Sequence, residues 1–402
     1  MRPLLDCGPG APTASVYVHL PFCRERCLYC SFPTVADDPS AHAPLIEAVL
    51  AEARRHRGRD GSPQDLQTLY LGGGTPGLMA PAELRRLLTG LIALWPAWHD
   101  VEITLEANPA NVTEHSLAEW AGMGVTRLSL GVQTFRDDVL KRLGRRHDAA
   151  TAARALRTVA QHWQRTWSAD LLAGWAGQRE LDLDADLGRL IGAAPPHVSV
   201  YALMVEDGTP LAAQRAAGRR VSVSASLEPA LDARCAERLG QVGFERYEVS
   251  NYARPGHRSR HNQVYWADES YLGLGPGAAS SIHPYRWVNR ADLTGYLEAV
   301  RSGRSVRTSA ELVGPEARLV EVLGVGLRTR DGLPCRTLDR RFGTGTSSAI
   351  AAAASALVDA GLLRCGETIA VPEHALARAD SIITELIVQL AACQPAPQGA
   401  VG

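Results

Sequence analysis

Three of the eight cysteines stand close together, in the segment Cys23-Arg-Glu-Arg-Cys27-Leu-Tyr-Cys30. This C-x3-C-x2-C spacing lets one short loop offer three thiolates to the same metal centre, and thiolates are soft ligands that suit iron–sulfur clusters. A [4Fe–4S] cluster has more irons than this loop has thiolates, so one iron is left without a protein ligand. An open coordination position of this kind can bind a small molecule, as the open position of a catalytic zinc does. The spacing therefore predicts a [4Fe–4S] cluster on Cys23, Cys27 and Cys30 with one accessible iron.

Two other interpretations of the cysteine segment are open at this point. A structural zinc ion would need a fourth ligand, for which His19 is the nearest candidate, although structural zinc sites are usually built from two separated ligand pairs. Alternatively, the three cysteines are unrelated buried side chains. The other cysteines are scattered, and we expect them to be small apolar residues, mostly buried. They are Cys7, Cys235, Cys335, Cys365 and Cys393.

The elements that must position the cysteine segment can be read from the hydrophobic pattern of the first half of the chain. Six strands are predicted: Val16–Phe22, Thr68–Leu71, Val101–Leu105, Arg127–Val132, Trp167–Leu172 and His197–Leu203. Helices are predicted at about 42–56, 81–95, 113–123, 136–143, 149–164 and 184–193. The alternation of strands and helices indicates an α/β fold with a parallel sheet. Six repeats favour a partial (β/α)6 TIM-like barrel over a closed one with eight.

Residues that could bind a ligand follow every predicted strand, and in parallel barrels the chemistry lies on this rim. In chain order they are the cysteine segment, Gly72–Pro76, Glu106–Pro109, Gln133, Asp170, and Tyr201 with Met204. Glycines let a ligand approach the backbone closely, and the two carboxylates could bind ribose hydroxyls or an ammonium group. The set predicts a site for an amino acid nucleoside, because the G-x-G-x-x-G of a dinucleotide site is missing. The glycine run alone would also fit a tight strand–helix turn.

Taken together, these motifs resemble those of radical S-adenosylmethionine (SAM) enzymes, which combine the cysteine loop with GGGTP after the second strand and EANP after the third. Within that superfamily the chain is similar to the HemN/HemW group, which contains oxygen-independent coproporphyrinogen III oxidases and the haem chaperones derived from them. The resemblance covers nearly the whole chain. It rests on the segments Tyr17–Cys23, Ser129–Phe135, Lys141–Arg145, Tyr247–Ala253, His261–Trp266 and Tyr271–Gly277.

The resemblance implies roles for particular residues, although it identifies no catalytic residue. Cys23, Cys27 and Cys30 would hold the cluster, whose open iron would be chelated by the amino and carboxylate groups of SAM. An electron from the cluster would then cleave the S–C5′ bond and give a 5′-deoxyadenosyl radical. The implied SAM contacts are Tyr17 on the methionine side, Gly73, Gly74 and Thr75 on the amino group, and Glu106 on the nucleoside. Gln133, Arg145 and Asp170 match positions that contact a second SAM in the oxidases, although Arg145 and Asp170 would also fit a surface ion pair.

Phe32 distinguishes between the two branches of this group. The oxidases carry a further cysteine two residues after the third, whereas this chain has Phe32 there, which argues against oxidation of coproporphyrinogen III. The segment His261–Trp266 (HNQVYW) matches the HNxxYW pattern of the haem chaperones. His261 could serve as an axial ligand to haem iron, with Tyr265 and Trp266 along the porphyrin face. Alternatively, His261 and Trp266 only pack a turn beside the C-terminal domain.

One loop departs from the family pattern. Where relatives carry a GLPGQT-like segment after the fifth strand, this chain reads Gly174-Trp-Ala-Gly-Gln178, which lacks the proline and gains Trp175. The change weakens the match to relatives at the second SAM site. It keeps open the alternative of a HemN-like radical methyltransferase that uses two SAM molecules on a small molecule or peptide.

The rest of the chain predicts a connecting region and a second, smaller domain. We divide the chain into an N-terminal extension (1–15), the barrel (16–226), a barrel-completing region (227–310), a winged-helix-like HemN C-terminal domain (311–393) and a disordered tail (394–402). The irregular connection Glu206–Ser226 precedes helices at about 228–241 and 290–301. The last domain has helices at about 314–325, 334–342, 347–360 and 375–392 and a strand pair near Leu362–Val371. We expect this domain to form a lid over the barrel, and its lack of a basic stripe argues against DNA binding.

Composition argues against several classes of partner. The net charge is −1, with 42 basic and 43 acidic side chains, which favours neither nucleic acid nor an anionic membrane. Neither a signal peptide nor a membrane-spanning stretch is predicted, so we expect a soluble, cytoplasmic protein. The leading hypothesis is a radical SAM protein that binds haem, receives electrons from a reducing donor and delivers haem to acceptor proteins. The alternatives are the two-SAM methyltransferase and coproporphyrinogen III oxidation, which Phe32 disfavours.

Overall fold

The computed structural model describes residues 14–57, 66–95, 100–224 and 226–393. The expected N-terminal extension, apart from its last two residues, and the expected disordered tail at 394–402 lie outside the described residues. In the part of the chain that is described, no helix is both long enough and apolar enough to cross a bilayer.

Most of the chain is organised by one twelve-stranded sheet. The strands of the molecule are β1 (Ala14–Leu20), β2 (Phe22–Cys23), β3 (Val35–Ala36), β4 (Leu66–Gly73), β5 (Glu102–Ala107), β6 (Arg127–Gln133), β7 (Thr166–Ala173), β8 (His197–Ala202), β9 (Glu245–Arg246), β10 (Asn251–Ala253), β11 (Tyr271–Leu274), β12 (Ala279–Ile282), β13 (Tyr285–Asn289), β14 (Arg307–Leu312), β15 (Leu333–Pro334), β16 (Arg364–Cys365) and β17 (Thr368–Ala370). The α-helices are α1 (Pro39–Arg57), α2 (Pro81–Leu94), α3 (Glu114–Gly122), α4 (Asp137–Arg142), α5 (Ala149–His162), α6 (Glu180–Gly192), α7 (Pro210–Ala216), α8 (Glu228–Gly240), α9 (Arg260–Trp266), α10 (Leu293–Arg301), α11 (Pro315–Gly326), α12 (Cys335–Phe342), α13 (Thr346–Ala353), α14 (Ser355–Asp359) and α15 (Ala379–Cys393).

Across the large sheet the strands follow the order β14-β13-β12-β11-β1-β4-β5-β6-β7-β8-β10-β9. The six predicted strands are present, and they pair in parallel in chain order as β1, β4, β5, β6, β7 and β8. The sheet ends at β14 on one side and at β9 on the other, so the barrel is open and the α/β fold class is confirmed. Alternate residues of a strand share a face. On one face of β1, Val16, Val18 and Leu20 are fully buried in a core that also contains Leu45 of α1 and Leu87 of α2. Each such side chain contributes about 1.5–3 kcal/mol relative to exposure.

The strands at both edges of the sheet are not among the sequence predictions. β11 pairs in parallel with the outer side of β1, and β12, β13 and β14 continue from it in antiparallel fashion. At the other edge, β10 pairs with β8 and β9 with β10. Most of these strands are too short for a period-two pattern to identify them. Two helical predictions are also wrong in detail: α7 lies within the connection expected to be irregular, and the helix expected at 347–360 is divided into α13 and α14.

The C-terminal part has an apolar core of its own, built from residues between Val322 and Leu390. Its small sheet has the order β15-β17-β16, so the expected strand pair is present and gains a third strand. Asp268, which follows α9, accepts hydrogen bonds from Arg318 of α11 and Arg341 of α12. These ion pairs join the C-terminal helices to the segment that contains His261. The exact residues at which one domain gives way to the next stay predictions.

Candidate functional site

The cysteine loop follows β1 and is held at both its base and its tip. At the base, β2 pairs in parallel with β3, and Asp37 N donates to Cys23 O at 2.9 Å. At the tip, Leu28 N donates to Leu143 O at 3.0 Å, and Leu28 O accepts from Leu211 N at 2.8 Å. The loop is therefore fixed by the segments that follow β6 and β8.

A cavity of about 480 Å³ lies at the carboxyl end of the parallel strands. The loops or ends of all six strands contribute to its wall, so the polar positions on the predicted rim do face one space. The lining includes Cys23, Cys27, Cys30, Gly73, Gly74, Thr75, Glu106, Asn108, Gln133, Arg145, Asp170, Tyr201 and Met204. Tyr17 and His261 do not line it. A concave space with several convergent polar groups is typical of a ligand site.

The glycine run after β4 packs tightly against the start of the cysteine loop. Gly73 has a φ of +109°, and a Cβ at this position would lie 2.5 Å from the His19 ring. A Cβ on Gly74 would lie 2.5 Å from Phe22 O. Any larger residue would push the two rim loops apart. The glycines are therefore needed to assemble the wall of the cavity itself.

Glu106, at the end of β5, accepts hydrogen bonds on both carboxylate oxygens. Tyr70 OH donates to Oε1 at 2.8 Å, and Gly73 N donates to Oε2 at 3.1 Å. Burial raises the pKa of Glu106 to about 7, the charge of Asp170 adds to this effect, and the two hydrogen bonds oppose it. The carboxyl group therefore changes its charge near neutral pH, where its strength as a hydrogen-bond acceptor for a ligand also changes.

The ends of β6 and β7 bring Gln133 and Asp170 to the same cavity. Gln133 has a φ of +72°, a left-handed conformation that costs a non-glycine residue about 1–3 kcal/mol and tends to persist at functional sites. Asp170 accepts from Ser129 Oγ at 3.0 and 3.3 Å. Burial raises the pKa of Asp170 to about 6, and hydrogen bonds from Ser199 and Ser129 limit the shift.

Arg145 connects the end of β6 to the cysteine loop. Its Nη2 donates to Gly131 O at 2.6 Å and its Nη1 to Cys27 Sγ at 3.4 Å. The Nε atom is buried and has no hydrogen-bond partner among the described residues. Arg145 and Asp170 both line the cavity, and each has partners other than its counterpart. The interpretation of the two as a surface ion pair is therefore wrong.

Two of the thiols, Cys23 and Cys30, lie in surroundings that favour their neutral form in the absence of metal. Burial, and to a smaller extent the neighbouring thiols, raise the pKa of Cys23 to about 11. A weak contact with Thr75 (Sγ to Oγ1, 3.9 Å) and the charge of Arg145 act in the opposite direction. Burial also raises the pKa of Cys30. Since metal ligands must be deprotonated, binding of a cluster would release protons from this loop.

His19, the candidate fourth ligand of a zinc ion, has both ring nitrogens engaged. Nδ1 lies 3.0 Å from Tyr17 OH, and Nε2 lies 2.8 Å from Pro33 O. Among the residues with described positions, no three His, Cys, Asp or Glu side chains surround a single point as ligands of one ion would. A cubane binds its thiolates through different irons, so its ligands need not converge in this way. The engaged His19 ring favours the cluster over zinc.

His261 belongs to a separate group of aromatic side chains behind the cavity wall. Its ring is 1% exposed, with Nδ1 2.7 Å from Thr68 Oγ1 and Nε2 2.8 Å from Tyr265 OH. The ring centroid lies 5.0 Å from those of Tyr70 and Tyr265 and 6.5 Å from that of Tyr17. Burial lowers the pKa of His261 to about 3, so the imidazole is neutral. A bond to haem iron would require one of its hydrogen bonds to break.

The unusual loop after β7 lies outside the cavity wall. Trp175 is buried, and the Cζ atoms of Arg136 and Arg142 lie 5.5 and 5.9 Å from its ring centroid. Gln178 Oε1 accepts from Gly174 N at 2.5 Å. None of Gly174, Trp175 and Gln178 lines the cavity. The departure from the family pattern therefore changes the packing behind the rim and not the lining.

Tyr70 and Ser129 are among the cavity residues that the sequence prediction missed. Tyr70 lines the cavity, and Tyr17, which was expected next to a ligand, lies behind it with its ring centroid 6.0 Å away. Ser129 also lines the cavity and holds Asp170. Both could have been found from the period-two rule, because Tyr70 shares a strand face with Gly72, and Ser129 with Gln133.

Known proteins share these features. Residues 17–189 match the radical SAM superfamily. The chain is 35% identical over 327 residues to the protein of Synechocystis sp. named haem chaperone HemW. This match covers 80% of the present chain and 79% of the Synechocystis protein. It is 32% identical over 355 residues to the Bos taurus protein named radical S-adenosyl methionine domain-containing protein 1, mitochondrial. This match covers 83% of the present chain and 78% of the Bos taurus protein. Its fold is similar to that of the radical SAM enzyme coproporphyrinogen III oxidase (HemN) from Escherichia coli, with a TM-score of 0.79 and 20% sequence identity. The superposition covers 94% of the present chain and 90% of the oxidase.

A radical SAM domain implies a [4Fe–4S] cluster and SAM, and the residues of the cavity fit both groups. Three thiols on one loop line it, and Arg145 Nε is a buried donor with no described partner. The carboxyl groups of Glu106 (β5) and Asp170 (β7) supply acceptors in the same cavity. The identity of 35% over four fifths of the sequence narrows the assignment further. The chain therefore belongs to the HemW family of radical SAM proteins.

Proposed function

We propose that this protein is a haem chaperone of the radical SAM type, which binds haem and delivers it to acceptor proteins in the cytoplasm. The observation that carries the proposal is the similarity over 80% of the chain to a protein named as a haem chaperone. Phe32 supports the same assignment. It replaces the further cysteine of the oxidases, it lines the cavity, and its side chain is 61% exposed.

In this proposal the cavity binds the cluster and SAM. Cys23, Cys27 and Cys30 would hold three irons of the cluster, which would leave one iron open to the amino and carboxylate groups of SAM. When bound, the cluster would supply the electron for reductive cleavage of SAM. Thr75 lies on the thiol side of the cavity, next to Cys23, and together with the neighbouring glycine loop it is assigned to the SAM amino group. Glu106 is assigned to the ribose hydroxyls, and Tyr70 OH orients its carboxylate. A reducing partner provides the electron.

His261 is assigned to haem iron, and this assignment includes a change in its hydrogen bonds. The neutral imidazole is the form that ligates iron, and burial keeps His261 in that form. Its Nε2 lies 2.8 Å from Tyr265 OH, so a bond from this nitrogen to haem iron would require the Tyr265 hydroxyl to move away. The ion pairs of Asp268 with Arg318 and Arg341 connect this segment to the C-terminal helices.

A haem titration followed by the Soret band tests the proposal on the wild-type protein and the variants H261A and Y265F. We expect a saturable shift for the wild type and none for H261A. Y265F should bind at least as tightly as the wild type, because its ring has no hydroxyl to compete for Nε2. Binding by H261A equal to the wild type would contradict the His261 assignment, and a wild type that carries a cluster and binds no haem would contradict the chaperone function.

A two-SAM methyltransferase is a second candidate, favoured by the common lining of Gln133, Arg145 and Asp170. These residues match the second-SAM positions of the oxidases, and all of them reach the cavity that carries the thiols. Turnover that releases S-adenosylhomocysteine together with 5′-deoxyadenosine would support this candidate. Decarboxylation of coproporphyrinogen III would instead establish oxidase activity, which Phe32 disfavours.

A further inference from the structure

Arg145 makes a contact that binding of a second SAM does not explain. Its Nη1 donates to Cys27 Sγ at 3.4 Å, while Nη2 is held on Gly131 O at 2.6 Å. The guanidinium is thus fixed to the end of β6 and directed at a sulfur atom of the cysteine loop. A ligand-binding arginine would instead direct its paired Nη donors at the ligand.

The backbone around Arg145 makes this contact a rigid feature. Arg145 N donates to Leu140 O at 2.8 Å, and Leu28 N, the amide that follows Cys27, donates to Leu143 O at 3.0 Å. Gly144 has a φ of +74°, and a Cβ on it would lie 3.2 Å from Leu28 Cγ. The turn that carries Arg145 and the loop that carries Cys27 are therefore packed as one unit.

We infer that Arg145 is a positioning residue that raises the reduction potential of the cluster through its hydrogen bond to Cys27. Hydrogen bonds and nearby charge at the cluster sulfurs set the potential of an iron–sulfur centre. The reduced cluster carries one more negative charge than the oxidised cluster, and the permanent positive charge of arginine stabilises the more negative state. Reduction transfers one electron from a low-potential donor and breaks no bond in Arg145. The inference rests on the cluster assigned under the proposed function and is independent of haem.

Arg157 provides a control with the same side chain away from the cavity. It lies on α5, its side chain is exposed, and it does not line the cavity. Replacement of Arg157 by Met removes the same charge as replacement of Arg145. Its effect at the cluster should be small, because water and salt screen an exposed charge.

The test is a potentiometric titration with dithionite, followed by the electron paramagnetic resonance (EPR) signal of the reduced cluster, on anaerobically reconstituted protein. For R145M we expect the midpoint potential of the cluster to shift by about 59 mV to lower potential. For a one-electron couple, this shift lowers the ratio of reduced to oxidised cluster at the wild-type midpoint by about tenfold. R145K keeps the charge and loses the planar donor arrangement, so its shift should be smaller and in the same direction. R157M should match the wild type.

A wild-type potential in R145M, or an equal shift in R157M, would overturn the inference. Iron and sulfide content is measured on the same samples, so that loss of the cluster is not mistaken for a shift. If R145M assembles no cluster, R145Q replaces it, and an R145Q midpoint equal to the wild type then contradicts the inference. A wild-type protein without a cluster would overturn the proposed function itself, which separates the two failures.

Discussion

The cavity rim and the aromatic group around His261 share Tyr70 but differ in how their polar atoms are satisfied. At the rim, Arg145 Nε has no partner among the described residues, and burial brings the pKa of Glu106 to about 7. In the aromatic group, His261 hydrogen bonds through both ring nitrogens, to Thr68 and Tyr265. The rim therefore keeps bonding capacity for ligands, whereas the aromatic group uses its hydrogen bonds within the folded chain.

The largest effect is expected from the cysteines of the rim. Replacement of Cys27 by Ala removes one of three cluster ligands, so reconstituted protein should lose its visible iron–sulfur absorption and nearly all bound iron. Cys365 lies in the C-terminal part of the chain, and C365A should retain the wild-type iron content. Equal iron in C27A and C365A would contradict the cluster assignment.

For the aromatic group we expect the main effect on stability. H261A should lower the free energy of unfolding by about 2–5 kcal/mol, because it opens a space in the core and leaves the buried Thr68 hydroxyl and the half-buried Tyr265 hydroxyl without this partner. Urea denaturation measures the change. H115A serves as the control, since His115 is exposed and substitutions of exposed residues usually change stability by less than about 0.5 kcal/mol. A loss no greater than that of H115A would show that the hydrogen-bonded arrangement of His261 is unimportant for folding.

Glu106 should make SAM binding depend on pH. With a pKa of about 7, the carboxyl group is mostly protonated at low pH and becomes a charged acceptor as the pH rises. Only about one tenth of it is ionised one pH unit below that value. SAM affinity, measured by calorimetry on the reconstituted protein, should therefore rise by up to about tenfold from pH 6 to pH 8. E106Q should bind more weakly and show a flatter profile, and an unchanged profile in E106Q would exclude Glu106 as the titrating group.

The smallest effect on folding is expected at Gln133. Glycine adopts a positive φ without steric cost, so Q133G should be as stable as the wild type or more stable by about 1 kcal/mol. The same variant removes an amide from the cavity lining and should bind SAM less tightly. A Q133G variant that loses stability and keeps its affinity would place Gln133 with the structural residues.

The sequence was sufficient where a local pattern carries the information. The alternating apolar residues of β1 and β6, and the polar residues that follow each parallel strand, predicted the open barrel and its rim. It was insufficient where long-range contacts decide. Thr68 and His261 are separated by 193 residues and Cys27 and Arg145 by 118, so no spacing rule could show that the histidine is engaged or that the arginine meets a thiol. The edge strands β9 to β14 likewise acquire their partners only in the folded sheet.

The most direct test of the account is EPR spectroscopy of the anaerobically reconstituted and reduced protein, with and without SAM. The account predicts a cluster signal that changes on addition of SAM, because the ligand binds an iron that the protein leaves open. A variant with Ala at Cys23, Cys27 and Cys30 should give no cluster signal. A wild type that binds only zinc, a signal indifferent to SAM, or an intact cluster in the triple variant would contradict the account.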